Sequence, residues 1–411
     1  MKHIAIIGYG VVGGGITSVI EENRTFIERA VGDSVNVKYI LDLREFPDSP
    51  YGDRVVHHIE TLIDDPEISV VCETMGGSHP AYEYSIALLR SGKSVVTSNK
   101  EVVASFGDEL LRCAAENGVS YLFEASVGGG IPVIRSFMTS LVGDSISRID
   151  GILNGTTNYI LTRMKQSGCS FEEALSEAQT LGYAERNPTN DVDGIDSKRK
   201  IMILAALASG VLVENDCVYA ETMTKVSAAD NKGAEKWGGA VKLVASAVFD
   251  HETQKLALYV CPQFVPWSCP LAHISDVYNG IAVTSPVTGD IMYYGRGAGR
   301  YPTAGAVMED VCAVLSGAAA AEKAPVFEKS SGGVIPFAEL KFDYYIRCRT
   351  DSVTDTLEFM HSACGHVEVI DSDSSGVLEM IAGPAGLEEI HHIFDNLDAV
   401  ESVIRVLGHC S

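Results

Sequence analysis

Ile4-Ala5-Ile6-Ile7-Gly8-Tyr9-Gly10-Val11-Val12-Gly13 is the stretch that decides the fold. Four apolar residues read as a buried strand, three glycines follow at G-x-G-x-x-G spacing, and an apolar helical pattern opens behind them. The glycines have a physical reason: without a Cβ, Gly8 turns tightly and Gly10 lets the backbone approach a pyrophosphate. The phosphates then face the positive end of a helix, so Gly8, Tyr9, Gly10, Val11, Val12 and Gly13 lie along a dinucleotide. Such a turn belongs to a parallel sheet with helices on both faces, which requires strands and helices to alternate further on.

They do alternate. Val35–Leu41, Ser69–Glu73, Ser94–Thr97 and Val119–Phe123 are strand-like, with helical Tyr82–Arg90 and Glu101–Asn117 among them. The acidic residue after the second strand is Asp42, 32 residues beyond Gly10. That exceeds the roughly 20 of the short form, so an extended first helix is expected. Asp42 favours a free ribose 2′-hydroxyl and hence NAD, while Arg44 offers a contact for the 2′-phosphate of NADP; the choice stays open, with NAD favoured.

From Ser145 the texture changes to a strand, Ile146–Leu153, followed by helices. The longest apolar run, Ile201–Val213, is short of the roughly 20 residues of a membrane span and is expected as a buried helix. Lys323–Glu339 is loop-rich and reads as a linker. Behind it, strand Phe342–Arg349, helix Asp355–Cys364, strands His366–Asp371 and Val377–Ala382, helix Leu387–Asn396 and strand Ser402–Leu407 spell β-α-β-β-α-β. The expected division is a dinucleotide domain at 1–133 rejoined by about 298–322, a substrate and dimerisation domain at 134–297, a linker at 323–339 and a small domain at 340–411.

Composition narrows the function. A chain of 411 residues has room for two to three domains at roughly 150 each. With 55 Asp plus Glu against 31 Lys plus Arg the net charge is -24, a field that repels nucleic-acid phosphate and anionic lipid and argues against both as partners. Ten cysteines without a CxxC or Cys/His cluster read as reduced thiols in a cytoplasm. Met1-Lys2-His3 before Ile4 imitates an export signal, but the glycines and the lack of a small-residue cleavage site argue against one. His57-His58 and His391-His392 are chain neighbours that cannot face one metal ion.

Two polar stretches carry chemistry. In Glu124-Ala125-Ser126-Val127-Gly128-Gly129-Gly130-Ile131-Pro132 a carboxylate and turn carbonyls offer oxygen ligands to a hard cation; a hinge between domains is the alternative. Gly182 to Lys200 is a polar loop broken by Pro188 and Gly194 that runs into the apolar helix. Asp196 and Lys200 stand at i and i+4 on one face, and Glu185 and Asp191 approach from the loop. Carboxylates there grip an ammonium-bearing substrate while the lysine exchanges a proton with it. The bland alternative is a surface ion pair worth about 0.3–0.5 kcal/mol. Lys100 lies just past the end of a parallel strand, where open sheets hold their ligands, or is merely an exposed helix-start lysine.

Seven ordered stretches, Gly8–Gly13, Glu73–Gly77, Val96–Lys100, Glu124–Pro132, Gly151–Tyr159, Gly182–Lys200 and Gly295–Ala304, together resemble the homoserine dehydrogenases. The likeness runs from Lys2 to about Ala321. It implies reversible, NAD- or NADP-dependent oxidation of L-homoserine to L-aspartate 4-semialdehyde, a step toward threonine, methionine and isoleucine. The implied fold is α/β: a Rossmann-type parallel sheet joined to a mixed α+β substrate and dimerisation domain, hence a homodimer or higher homo-oligomer. By this resemblance Lys200 donates and accepts the substrate proton, Lys100 is the second lysine at the site, and Glu185 and Asp196 bind homoserine with Asp191 close by. Gly76, Lys100, Gly182 and Gly299 join the Gly8–Gly13 turn along the cofactor. Glu124 with the carbonyls of Val127, Gly129 and Ile131 matches the family's sodium site. The tail resembles an ACT-type amino-acid-sensing domain.

The sequence departs from the family at three places. Asn187 stands where an Asp is usual, Leu41 replaces the Arg that commonly precedes Asp42, and Thr350–Asp355 replaces the usual Asp-x-Pro-Gly turn of the tail. The first removes a charge beside the site and bears on substrate or pH dependence, the second weakens NADP preference, and the third weakens threonine feedback, leaving the tail an assembly role. With no kinase-like segment ahead of Met1, the monofunctional form is expected. Two other readings compete: a thiol-dependent, aspartate-semialdehyde-type dehydrogenase using Cys72, Cys113 or Cys169, and a non-catalytic dinucleotide and amino-acid sensor.

Overall fold

A computed structural model describes residues 1–321, 323–397 and 399–408; the outer ends of two expected ranges, Glu322 and 409–411, lie outside it. Strands β1 (Lys2–Ile7), β2 (Val35–Leu41), β3 (Val55–Val56), β4 (Ile68–Glu73), β5 (Ser94–Thr97) and β6 (Tyr121–Leu122) form a parallel sheet in the order β3-β2-β1-β4-β5-β6. Both faces are covered, so the strands are apolar without alternation. Ile4, Ile6, Val70 and Val96 pack on Ile16, Ile20, Val307 and Val311. Ala5, Ile7, Val71 and Val95 belong with Leu88, Leu89, Val103 and Leu110 in the second core. The strand order reverses between β1 and β4, which opens a crevice at their C-terminal ends.

The extended first helix is two helices. Val11–Glu22 and Arg24–Val31 meet at Asn23, which leaves the helical conformation (φ -114°, ψ 21°) while its N–H still bonds the Val19 carbonyl. The first sheet is completed from far along the chain, where Arg300–Ser316 crosses Val11–Glu22. A Cβ on Gly15 would lie 2.8 Å from the Arg300 carbonyl oxygen, so the two helices touch backbone to backbone.

The remaining strands are β7 (Arg148–Ile152), β8 (Val211–Val213), β9 (Tyr219–Ala220), β10 (Gly239–Asp250), β11 (Lys255–Pro266), β12 (Tyr278–Ser285), β13 (Gly289–Arg296), β14 (Glu328–Ser330), β15 (Phe342–Arg349), β16 (His366–Ser372), β17 (Val377–Ala385) and β18 (Ala399–Val406). Most join one mixed sheet in the order β13-β12-β7-β10-β11-β18-β15-β17-β16, with β9 beside β11. The apolar run Ile201–Val213 is helix and strand in succession: the helix Ile195–Ser209 stops at Gly210, whose left-handed φ of 76° suits glycine, and Val211–Val213 pairs with β14. Ile201 to Ala206 are buried all round, packed between the helix Lys100–Glu116 and the strands β7, β10 and β11 of the mixed sheet.

The tail forms its β-α-β-β-α-β unit but not a sheet of its own. Its order β18-β15-β17-β16 continues the large sheet because β18 pairs with β11 at Gln263↔Arg405 and Phe264↔Val406. Buried Arg347 meets buried Asp230 at 3.0 Å, and Lys236 reaches Asp371 at 2.6 Å, tying the tail to the helix Ala228–Trp237. The loop-rich interval is docked as well, with β14 on β8 and Phe337 stacked on Tyr219 at 3.8 Å. Among the described residues no helix is long and apolar enough to cross a membrane.

A Cβ on Gly233 would lie 2.5 Å from the hydroxyl oxygen of Tyr345, which is fully buried and cannot retreat. Overpacking of about 1–3 kcal/mol exceeds the roughly 1 kcal/mol that alanine gains over glycine in a helix. Gly233→Ala is therefore expected to lower the thermal unfolding midpoint and to speed proteolysis at the joint between tail and body.

Candidate active site

The strand ends set out the cofactor side. Gly8 follows β1 with φ 85°, and a Cβ there would press on Thr74 and Met75 at 3.1–3.2 Å. A Cβ on Gly13 would lie 2.1 Å from the Gly8 carbonyl oxygen, whereas one on Gly10 would meet nothing within 4 Å. The turn is closed where it packs and open at Gly10, as a pyrophosphate cradle requires. Thr74 Oγ1 donates to the Gly8 carbonyl at 2.7 Å and so ties the loop after β4 to the turn.

Asp42 sits at the end of β2, where its carboxylate accepts from the Tyr9 amide at 2.7 Å. Arg44 grips both of its oxygens at 3.0 Å. Burial opposes its ionisation, but Arg44 and the amides hold Asp42 at about 2. Gly76 is exposed beyond β4 and Lys100 opens the helix after β5, both on the same edge of the sheet. Gly299, with φ 124°, starts the helix whose Arg300 donates to the Gly14 carbonyl, next to the turn. Gly182 stands exposed on the loop after the helix Phe171–Thr180, with φ 76°.

The chemistry side is built around one carboxylate. Asp196, in the first turn of Ile195–Ser209, is only 6% exposed. Its Oδ2 accepts from Lys200 Nζ at 2.7 Å and from Asn154 Nδ2 at 2.9 Å. Its Oδ1 faces Lys100 Nζ at 3.1 Å. Lys200, itself buried, also donates to the Leu153 carbonyl at 2.6 Å. Burial works against the charge on Asp196, yet the two lysines and Asn154 hold its carboxyl well below the usual range. The i, i+4 pair read from the sequence is thus a buried ion pair that a third, half-exposed charge, Lys100, completes from the helix after β5, and the surface-pair alternative falls.

Asp191 comes alongside: Asn154 Nδ2 also donates to its Oδ1, at 2.8 Å. Burial, with the neighbouring Asp196 charge, raises its carboxyl above the ordinary value even though Asn154 bonds it. Glu185 does not arrive. Its side chain is exposed on the loop, and among the described residues only its carbonyl is engaged, by Gln179.

Asn154 escaped the sequence reading, although Asn154-Gly155-Thr156-Thr157 is a helix N-cap signature. Its Oδ1 caps Gly155–Ser167 by accepting from the Thr157 amide, which leaves Nδ2 free to span the two aspartates. The cap was legible, and the second duty is tertiary.

At Glu124 the carboxylate half of the cation reading is used elsewhere. Its oxygens accept from the amides of Ile134 at 3.0 Å and Arg135 at 2.7 Å, at the N-terminus of Val133–Thr139. What remains for an ion is backbone oxygen in a turn with left-handed Gly128 and Gly129. The Ile131 carbonyl already accepts from the Val133 amide, so Val127 and Gly129 are the freer donors. A neutral carbonyl set suits a singly charged hard cation. No cluster of three His, Cys, Asp or Glu side chains that could hold a metal occurs among the described residues. Cys72 and Cys113 are buried, and burial raises the Cys72 thiol far above its ordinary value, so it makes a poor nucleophile.

The contrast between the glycines is testable. Gly13→Ala forces the turn to move and is expected to lower the melting midpoint. Gly10→Ala should leave the midpoint within error and weaken NADH binding about tenfold or more, since its Cβ intrudes only on the pyrophosphate space. Fluorescence titration beside thermal melts checks both.

Comparison with known proteins agrees with this geometry. Residues 8–124 match the family model for the homoserine dehydrogenase NAD binding domain, and residues 132–312 match that for homoserine dehydrogenase. The homoserine dehydrogenase of Synechocystis is 35% identical over 98% of this chain and 99% of its own length. That of Bacillus subtilis is 37% identical over 76% of this chain and 72% of its own. The crystal structure of a homoserine dehydrogenase from Thiobacillus denitrificans superposes with a TM-score of 0.88 at 30% identity, covering 99% of this chain and 98% of that one. A hyperthermophilic archaeal homoserine dehydrogenase in complex with NADPH superposes with a TM-score of 0.65 at 28% identity over 76% of this chain and 98% of its own. A dinucleotide turn that faces a lysine-aspartate cluster across two domains, with relatives matching end to end, places this chain in the homoserine dehydrogenase family of NAD(P)-dependent oxidoreductases.

Proposed function

We propose that Lys200 moves the proton of the reaction L-homoserine + NAD(P)+ ⇌ L-aspartate 4-semialdehyde + NAD(P)H + H+. The observation that carries this is the Asp196 carboxylate, which holds Lys200 and Lys100 on its two oxygens at the mouth of the cofactor crevice. The bound nicotinamide supplies the hydride acceptor. Two of the Lys200 N–H directions are taken by Asp196 and Leu153, so the remaining one is aimed by the protein and not by solvent. Lys100, more exposed, keeps donors for the developing alkoxide or carbonyl oxygen. Asp191, held by Asn154 through one oxygen only, offers the other to the substrate ammonium. Asp196 is then an orienting group first, and Glu185, exposed on its loop, is left to meet the substrate from solvent.

In this reading residues 1–133 with 298–322 bind the cofactor through Gly8–Gly13, Gly76 and Gly299, while 134–297 carry the substrate and add Gly182 to the cofactor. NAD is preferred, because an ionised Asp42 pairs with a 2′-hydroxyl and repels a 2′-phosphate. A monovalent cation such as sodium takes the carbonyls of Val127 and Gly129 and the backbone oxygen of Glu124. The enzyme works as a cytoplasmic homo-oligomer, with 323–339 a docked strap and 340–411 an ACT-like assembly domain.

The purified protein should form NADH when given homoserine, and Lys200→Ala should lower kcat by about 10²- to 10⁴-fold while KM moves little. No homoserine-dependent NAD(P)H formation, or a Lys200→Ala variant as active as wild type, contradicts the proposal. Side-by-side kcat/KM values should favour NAD, and Asp42→Ala should erase that preference by about tenfold or more. Equal preference in wild type and variant contradicts the cofactor assignment.

A further inference from the structure

Glu73, the last residue of β4, is fully buried, and among the described residues no cation lies within ion-pair reach of it. A lone buried carboxylate is costly, so its hydrogen bonds deserve an explanation. Oε1 accepts from the Met75 amide at 2.7 Å, on the loop Thr74–Gly77. Oε2 accepts from Thr97 Oγ1 at 2.6 Å, at the end of β5. Thr97 Oγ1 in turn accepts from the Asn99 amide at 2.9 Å. Asn99 closes the circuit: its Nδ2 donates to the Gly77 carbonyl at 2.8 Å, and its Oδ1 caps the helix that Lys100 begins. One carboxylate therefore joins the loop that touches the glycine turn, through Thr74, to the turn that bears Lys100.

We propose that Glu73 is a positioning residue for the reaction: it fixes the spacing between the cofactor loop Thr74–Gly77 and the lysine turn Thr97–Lys100. The inference rests on the assignment of Lys100 to the site. Burial disfavours a charge here, and the deprotonated carboxylate is the form that offers one acceptor oxygen to each loop, where a glutamine has a single acceptor oxygen. Burial pushes Glu73 up to about 7, against the hydrogen bonds from Thr97, Met75 and Asn99. The facing groups are Thr97 on β5, Asn99 on the turn and, on β6, Tyr121, a buried phenol whose own value burial raises. The neutral form is favoured in the folded state, so this stabilisation is complete below the ordinary glutamate value and is lost as pH rises through about 7.

The test compares Glu73→Gln, Thr97→Val, Thr97→Ser and Lys100→Ala with wild type. For Glu73→Gln the expected result is a kcat about tenfold or more below wild type with the homoserine KM nearly unchanged, since a small misplacement costs turnover first. NADH affinity by fluorescence should weaken a few-fold, and the pH step of kcat near neutrality should vanish. Its melting midpoint should match wild type near pH 5 and exceed it near pH 8, because glutamine carries no buried charge. Thr97→Val should reproduce the kinetic loss and Thr97→Ser should restore it, which decides the matter even if Glu73→Gln fails to fold. A variant pair with wild-type kcat, or a Glu73→Gln whose activity falls only in step with a lower midpoint at every pH, overturns the proposal. If Lys100→Ala turns over normally, the site assignment fails and this inference with it; if Lys100→Ala is crippled while Glu73→Gln and Thr97→Val are not, this inference alone fails.

Discussion

The Asp196 carboxylate, shared by two lysines and an asparagine away from bulk water, is the interaction on which the rest depends. Lys200 and Asp196 come from the helix Ile195–Ser209, Lys100 from the start of the helix Lys100–Glu116, and Asn154 from the cap of the helix Gly155–Ser167. The carboxylate is the acceptor the two lysines share, with the Leu153 carbonyl a second one for Lys200 alone among the described residues, and a buried carboxylate is tolerable only with such partners. The cluster also explains why the rest of that helix is apolar: Ile201 to Ala206 anchor it in the core between the helix Lys100–Glu116 and the mixed sheet, so that its first turns can carry charge.

The same logic runs through the acid-rich chain as a whole. At -24 the global field disfavours an anionic cofactor, so local devices must override it: glycine-turn amides, a helix N-terminus and Lys100. Two carboxylates of this half of the chain are held in place, Asp42 by Arg44 and Glu124 by the amides of Ile134 and Arg135. Glu73 differs in what it joins: its donors come from two separate site loops, at the point where those loops meet.

Much of this architecture was legible in the chain. Val35–Leu41, Ser94–Thr97 and Phe342–Arg349 were read with the bounds they adopt, because each is an apolar or β-branched run between polar breaks. The misreadings have local causes. Asn23 and Gly210 interrupt helical patterns that hydrophobicity alone carries through, and the edge strand Tyr121–Leu122 is shorter than its apolar run. At the site, the Asp196–Lys200 pair followed from helical spacing, whereas its burial and its bond to Lys100 did not. Which partner a polar group finds is set by tertiary contact: Glu124 accepts from helix amides, Glu185 stays exposed on its loop, and Asn154 gained a second function. The fusion of the tail to the main sheet was equally invisible, since strand pairing between distant segments leaves no mark on either.

The account's central claim is that Asp196 and the lysines act as one unit. A double-mutant cycle on kcat/KM for homoserine with Asp196→Asn and Lys200→Ala tests this most directly. If the lysine acts only as Asp196 holds it, the double variant should be no worse than Lys200→Ala alone. Losses that simply add would show that the two residues work independently, and would contradict the account.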